Sequence, residues 1–295
     1  MDDTPHDKSA HPRPLPQAGK GIRASLSTAA KRLETVSDTP RLDAELLMAH
    51  ALGVSREAML LSQLDDAPPE AFDALLARRL AHEPVAYATG TRDFWTISLS
   101  VSPAVLIPRP DSETLIEAAV EHFGAAGPKT VLDLGTGSGA LVLAALAEWP
   151  EASGLGIDAS EAALEVAAGN AQRLGLAERA EFRLGNWAAG LSGRFDLILC
   201  NPPYIEANVA LPPSVEGFEP HSALFSGEEG LDDYRVLVPQ LAALVAPGGM
   251  IAVEIGSTQG EAVSGLFRQA GLSSQIRKDL GGRDRAILHF ALGIG

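Results

Sequence analysis

The chain has 295 residues, 46% hydrophobic, 21% charged and only 5% aromatic, a globular composition that excludes a wholly disordered or fibrous protein. Its formal charge is −15, and residues 85–295 hold 13 basic against 25 acidic residues, which disfavours duplex nucleic acid as a partner because phosphate neutralisation needs clustered Lys and Arg. No apolar run approaches the roughly 20 residues needed to span a bilayer, and the lone Cys200 excludes an internal disulfide or a multi-cysteine zinc site.

Residues 1–20 are polar and proline-rich; they read as a flexible tail, not a secretory signal. With a single cysteine, this points to a cytoplasmic protein. His6 and His11 in the tail and His50 in a helix do not converge on a shared metal site.

Residues 21–84 read as a small helical domain. In TPRLDAELLMAHALG, Thr39 is the expected N-cap and Pro40 suits the first helical position. Leu42, Leu46, Leu47, Ala49 and His50 form the expected apolar stripe, and Gly53 closes the helix. Ser55 caps a short second helix, and a third begins near Pro68-Pro69 with Phe72, Leu75, Leu76 and Leu80 on one face. Pro84 ends the segment. These stripes fit either a purely structural helical cap or a partner-docking domain. Residues 85–108 change character: FWTISLSVS alternates like a strand or hairpin, and the segment reads as a hinge. Asp111 or Ser112 then caps a helix that opens the main domain, residues 109–295.

From residue 128 strand and helix patterns alternate. Strands are expected at 130–135, 153–158, 180–185, 195–200 and 249–255, with helical runs at 138–149, 161–175, 231–246 and 258–271. This order implies βαβ units and a mostly parallel sheet covered on both faces. SSQIRKDL and RAILHFAL, around Gly281-Gly282, read as a closing antiparallel hairpin.

In such sheets ligands bind at the C-terminal strand ends. DLGTGSG runs from a strand into a turn in which Gly135, Gly137 and Gly139 remove side chains that would block a ligand, with Thr136 and Ser138 between them. Its Gly-x-Gly-x-Gly spacing is not the dinucleotide fingerprint, and a ligand-free turn is the bland alternative. Asp158 ends the next strand, where an acid can accept both ribose hydroxyls; it also fits a carboxylate complementing a helix N-terminus, with Ser160 competing as the cap. Asn201-Pro202-Pro203-Tyr204 follows FDLILC. Two prolines lock φ and remove two donors. The Asn201 oxygen and the Pro202 carbonyl can therefore grip the two hydrogens of a planar NH₂ group, with Tyr204 over its face. Cys200 reads as a small core residue, and Arg283 and Arg285 as turn and surface residues.

DLGTGSG, the spaced Asp158 and NPPY resemble the class I S-adenosylmethionine (SAM) methyltransferases that modify planar nitrogens. With PRLDAELLMAHALG, EPVAYATG, VLIPRPDSETLIE, EPHSALFSGEEGLDDYR and KDLGGRDRAI, the chain over about residues 21–292 resembles the release factor glutamine methyltransferase family, PrmC or HemK. One departure is Thr96, where that family commonly has glycine. The resemblance implies an α/β fold: a Rossmann-like class I methyltransferase domain with a C-terminal antiparallel hairpin, preceded by the helical domain as a substrate-docking unit.

The implied activity is N5-methylation of the glutamine in the Gly-Gly-Gln motif of class 1 peptide chain release factors. SAM is the expected cofactor, with no metal, nucleic acid or membrane partner and a monomeric state. Gly135, Thr136, Gly137, Ser138, Gly139, Asp158, Trp187 and Asn201 are implied for SAM. Asn201, Pro202, Pro203 and Tyr204 are implied for the substrate, with Asn201, Pro202 and Tyr204 carrying catalysis. The same tetrapeptide chemistry would suit adenine N6 in DNA or RNA, and a nucleotide-binding interaction module is the non-enzymatic alternative.

Overall fold

The computed structural model describes residues 21–293, so the expected tail at 1–20 lies outside the described residues. The chain divides into two compact units, with the break between Thr89 and Gly90.

The first unit is helical: α1 Ile22–Leu33, α2 Pro40–Leu52, α3 Arg56–Ser62, α4 Ala71–Leu80 and α5 Val85–Thr89. Its core gathers Ile22, Leu26, Leu33, Leu47, Met48 and Met59, all fully buried. Gly53 ends α2 in the left-handed conformation, φ 68°, and Ser55 caps α3 by accepting from Ala58 N at 3.1 Å.

Three local expectations differ. Thr39 sits at the N-cap of α2 but makes no capping bond: its hydroxyl donates to Asp43 Oδ1 (3.0 Å) instead of accepting from a backbone N–H. The apolar stripe of α2 is rotated: Leu42 and Leu46 are 40% and 37% exposed and His50 is exposed, while Asp43, Ala44 and Glu45 are buried with Leu47 and Met48. The acids turn inward because each finds arginine. Asp43 pairs with buried Arg79 at 2.8 Å, and Glu45 pairs with Arg41 and Arg56 at 2.5 and 2.7 Å. Lastly, α5 forms beyond Pro84, where its Ala88 joins the same core.

The second unit opens with a hairpin, β1 Thr91–Phe94 and β2 Ile97–Ser100. Its turn is Trp95-Thr96, and the positive φ (52°) falls on Trp95, not Thr96. Glu113 Oε1 accepts from Trp95 N and Glu148 Oε2 from its indole N–H, each at 3.0 Å, and these bonds hold the unfavourable conformation. A single 3₁₀ turn, Pro110–Ser112, leads into α6 Glu113–Phe123.

The main run follows: β3 Thr130–Leu134, α7 Ala140–Glu148, β4 Ser153–Asp158, α8 Glu161–Arg173, β5 Ala180–Leu184 and β6 Phe195–Cys200. Next come the short α9 Pro213–Glu216, α10 Asp232–Leu241, β7 Val245–Glu254, α11 Gly260–Gln269, β8 Gln275–Lys278 and β9 Asp284–Phe290. The helix expected over 231–246 stops at Leu241, because Val245 already pairs with Phe195 of β6; β7 therefore starts earlier than 249.

Seven strands form one sheet in the order β5-β4-β3-β6-β7-β9-β8. The first five in that order run parallel, and β9 is antiparallel to both β7 and β8. Side chains alternate strictly between two cores. Val131, Leu197, Leu199, Met250 and Ala252 face α6 and α7, while Leu132, Ile198, Cys200, Ile251 and Val253 face α10 and α11. Burial on both faces is what makes these strands read as continuous apolar runs.

This topology sets the site. After β3 the chain builds outward through β4 and β5, then returns to the other side of β3 as β6, so the switch point lies between β3 and β6. The register pairs Leu134 with Ile157 on one side and Cys200 on the other, and Cys200 with Val253. The next residues along each strand, Asp158, Gly135, Asn201 and Glu254, therefore stand abreast at the strand tips.

Candidate active site

Two cavities meet at these strand tips. The larger, about 440 Å³, is walled by Gly135, Thr136, Gly137, Ser138, Asp158, Trp187, Asn201 and Pro203 among others. That volume lies within the range of small-molecule sites. The smaller, about 170 Å³, is walled by Asn201, Pro202 and Tyr204 together with Leu106, Arg109, Ile205, Leu211 and Val215. Asn201 lines both, so the NPPY tetrapeptide is the partition between them.

The glycine turn is built from backbone constraints. Gly135, Gly137 and Gly139 all have positive φ (74°, 55° and 82°). No atom lies within 4 Å of where a Gly137 Cβ would sit, so the turn opens into the large cavity there. Gly139 is not on the cavity wall; a Cβ at this position would come within 2.8 Å of Leu143 Cδ1, so its smallness lets α7 start close under the turn. The Thr136 hydroxyl is committed inward, donating to Asp133 Oδ2 at 2.7 Å. Buried Asn170 staples the loop by donating to the carbonyls of Ser138 (2.9 Å) and Ser100 (3.0 Å).

Asp158 braces the same turn. Its Oδ2 accepts from Gly137 N at 2.8 Å and its Oδ1 from Ser160 N at 2.9 Å, while Ser160 itself caps α8 by accepting from Ala163 N. Each carboxylate oxygen keeps a lone pair for a ligand. Trp187, held at φ 52°, lines the larger cavity, 3.3 Å from where a Gly135 Cβ would be.

The tetrapeptide is anchored from behind. Asn201 Nδ2 donates to Ser112 Oγ at 3.0 Å, which leaves Oδ1 as the acceptor toward the cavities. Among the described residues no hydrogen bond ends on the Pro202 carbonyl. The Tyr204 hydroxyl donates to Glu254 Oε1 at 3.2 Å and its carbonyl accepts from Gln259 Nε2 at 3.0 Å. Burial, reinforced by the Glu254 charge, pushes the Tyr204 phenol upward, so it stays a neutral donor. Arg109 pairs with buried Glu219 at 2.6 Å, and Glu219 also accepts from Ile107 N at 3.1 Å, which ties the IPRP segment to the loop that closes the smaller cavity.

Two carboxyls near the tips are fully enclosed. Burial pushes Asp133 up to about 7, against the bonds from Thr136 and Val142 N. Burial likewise pushes Glu254 up to about 7, against the pull of Ser112, Arg285 and Tyr204. Cys200 is buried, with its thiol driven well above the ordinary range by desolvation and then by the surrounding carboxylates. Arg285 corrects the surface reading. It is 7% exposed and pairs with Asp111 (2.9 Å) and Asp279 (3.1 Å), because β9 carries it beside the buried end of β7. Sequence reasoning gives Ser112 only as a helix cap, a bond its side chain does not make because its oxygen meets Asn201, and passes over Glu254. Glu254 did leave a signal, as the one acid in the apolar strand GMIAVEI.

A glycine-cradled cavity at a switch point, partitioned by NPPY from a second cavity, belongs to a Rossmann-like methyltransferase. A methyltransferase-domain family model matches residues 127–275, and a model for the PrmC N-terminal domain matches residues 25–90. In fold, the catalytic domain of hMettl16 (TM-score 0.54, 14% identity, 73% of this chain and 82% of that one) and a methyltransferase from Pyrococcus furiosus (TM-score 0.50, 21% identity, 74% and 98%) are similar.

The chain belongs to the release factor glutamine methyltransferase family. It is 46% identical over 270 residues to the release factor glutamine methyltransferase of Rhodospirillum rubrum, covering 89% of this chain and 83% of the relative. It is 46% identical over 271 residues to that of Cereibacter sphaeroides, covering 89% and 96%.

Proposed function

We propose that this chain methylates the side-chain nitrogen of the glutamine in the Gly-Gly-Gln motif of class 1 release factors, using SAM. The observation that carries the reading is Asn201 on the partition between a ligand-sized cavity and a smaller one that would admit a side chain. The large cavity suits SAM: the open face at Gly137 accepts a ligand against backbone, the Asp158 carboxylate suits ribose hydroxyls, and Trp187 offers a flat wall for adenine. Bound there, SAM supplies an electrophilic methyl on a sulfonium.

The remaining work is alignment by this chain's own groups. A glutamine amide nitrogen is a poor nucleophile, because its lone pair is shared with the carbonyl. Asn201 Oδ1 and the Pro202 carbonyl accept its two N–H bonds and hold the nitrogen toward the larger cavity. Positioning of this kind is worth on the order of 7–11 kcal/mol in favourable cases. The same acceptors favour positive charge developing on that nitrogen, whose surplus proton leaves to solvent water once the methyl has passed from sulfur to nitrogen. Tyr204, fixed by Glu254, walls the amide plane.

We assign the helical unit to holding the release factor; exposed Leu42, Leu46 and Leu61 are apolar groups it could offer. In this reading the protein acts as a monomer in the cytoplasm and without nucleic acid, which its acidity supports. The test is transfer of labelled methyl from SAM to purified release factor, with a variant of that factor carrying alanine for the loop glutamine. Label on the wild-type factor alone is expected; equal label on both, or on DNA or RNA instead, refutes the assignment.

A further inference from the structure

Glu254 poses a problem that strand packing does not answer. It is fully buried at the tip of β7, where an apolar residue would cost nothing, and its Oε2 has no hydrogen-bond partner. The register sets it beside Asn201, since Cys200 pairs with Val253 one residue earlier on each strand.

Both polar side chains of the tetrapeptide lead back to this carboxyl. The Tyr204 hydroxyl donates to Oε1 directly (3.2 Å). Asn201 Nδ2 donates to Ser112 Oγ (3.0 Å), and Ser112 in turn is among the groups that favour the ionised form of Glu254, although Oε2 accepts no hydrogen bond. A serine that accepts from Asn201 keeps its own proton for another acceptor, and the carboxylate is the acceptor at hand. The opposite Asn201 orientation would spend the Ser112 proton on Asn201 Oδ1 and turn an NH₂ toward the substrate, where two N–H groups would then oppose each other.

We propose that Glu254 is a positioning residue for methyl transfer: through Ser112 it keeps the Asn201 oxygen toward the substrate amide, and through the Tyr204 hydroxyl it fixes the ring of the same motif. It touches neither cavity. The inference rests on the glutamine-methylating reading above.

The ionised carboxyl is the form that accepts from the Tyr204 hydroxyl and draws the Ser112 proton toward itself, so turnover falls as pH drops through the Glu254 titration at about 7. The groups facing it are Tyr204 and Cys200 from β6 and its extension, Asp111 and Ser112 before α6, Tyr234 of α10 and Arg285 of β9. Tyr234 donates to the Glu254 backbone carbonyl (2.8 Å) and the phenols stay neutral in this range, while Arg285 stays charged between Asp111 and Asp279.

The experiment compares wild type, E254Q, S112A and S112T in steady-state methylation of intact release factor across neutral pH, with SAM affinity measured by calorimetry. For E254Q, kcat should fall roughly 10- to 100-fold with SAM affinity and release-factor KM near wild type, and the acidic limb of the kcat profile should vanish. S112A should lower kcat and flatten the limb, and S112T, which restores a hydroxyl, should recover much of both. Should E254Q fail to fold, the Ser112 pair decides by the same criteria. Wild-type kcat and an unchanged limb in a folded E254Q, or in S112A, overturn the proposal. So does a parallel loss of SAM affinity and kcat that S112T does not rescue. A wild-type protein inactive on every release factor would instead overturn the functional reading, and this inference with it.

Discussion

Asp133 ties the glycine turn to the stability of the protein in a way that can be measured. It lies fully buried beneath that turn; Oδ2 accepts from Thr136 Oγ1 (2.7 Å) and, at 3.4 Å, from Val142 N, while Oδ1 has no hydrogen-bond partner. Desolvation outweighs these bonds and raises its pKa from 3.8 to about 7. A carboxyl whose folded pKa exceeds its unfolded one keeps its proton longer in the fold. Its contribution is complete at acidic pH and is lost as pH climbs from about 4 to about 7. The gap corresponds to on the order of 4 kcal/mol.

Asp133→Asn keeps the shape and an acceptor for Thr136 but cannot ionise. Urea unfolding of both proteins, followed by circular dichroism at a series of pH values, gives the difference in unfolding free energy. It should move in favour of the variant by about 4 kcal/mol between acidic and mildly alkaline pH. Glu254, raised from 4.5 to about 7, adds a loss of the same sign in both proteins and cancels in the difference. Parallel pH–stability curves would refute the reasoning, since Asp133 would then ionise as readily in the fold as in the unfolded chain.

The site carries further expectations. Asn201→Ala should lower kcat roughly 10²–10³-fold while leaving SAM affinity nearly intact by calorimetry, because it removes an acceptor for charge developing on the substrate nitrogen; equal losses in both would make Asn201 mainly a cofactor residue. Asp158→Ala should weaken SAM binding roughly 10- to 100-fold, as expected for a lost charge-assisted contact, and an unchanged calorimetric Kd removes Asp158 from the site. Gly139→Ala forces an L side chain to φ 82° and within 2.8 Å of Leu143 Cδ1. The conformation alone costs about 1–2 kcal/mol, so urea unfolding should show at least that loss, and a neutral substitution would mean the turn can relax.

Local pattern made a good deal of this protein legible. Alternating apolar strands and helical stripes read as a doubly wound sheet because both faces of every central strand are buried, so Leu132, Leu197 and Val253 are apolar whichever core they face. The glycine turn and NPPY were legible because backbone requirements select residue types that ordinary turns do not need together.

Pairings across the chain were not legible. The stripe of α2 is misplaced because Asp43 goes inside only when Arg79 of α4 meets it, and Glu45 only when Arg56 of α3 joins its neighbour Arg41. Arg285 read as surface for the same reason, its partners Asp111 and Asp279 being supplied by other elements. Ser112 and Asn201 are 89 residues apart, and nothing near either announces the bond between them. Residue types and periodicity dictated what could end a strand here. Only the order and register of the sheet decided which strand ends stand side by side, because a parallel ladder fixes its neighbours by long-range closure that no local run of residues encodes.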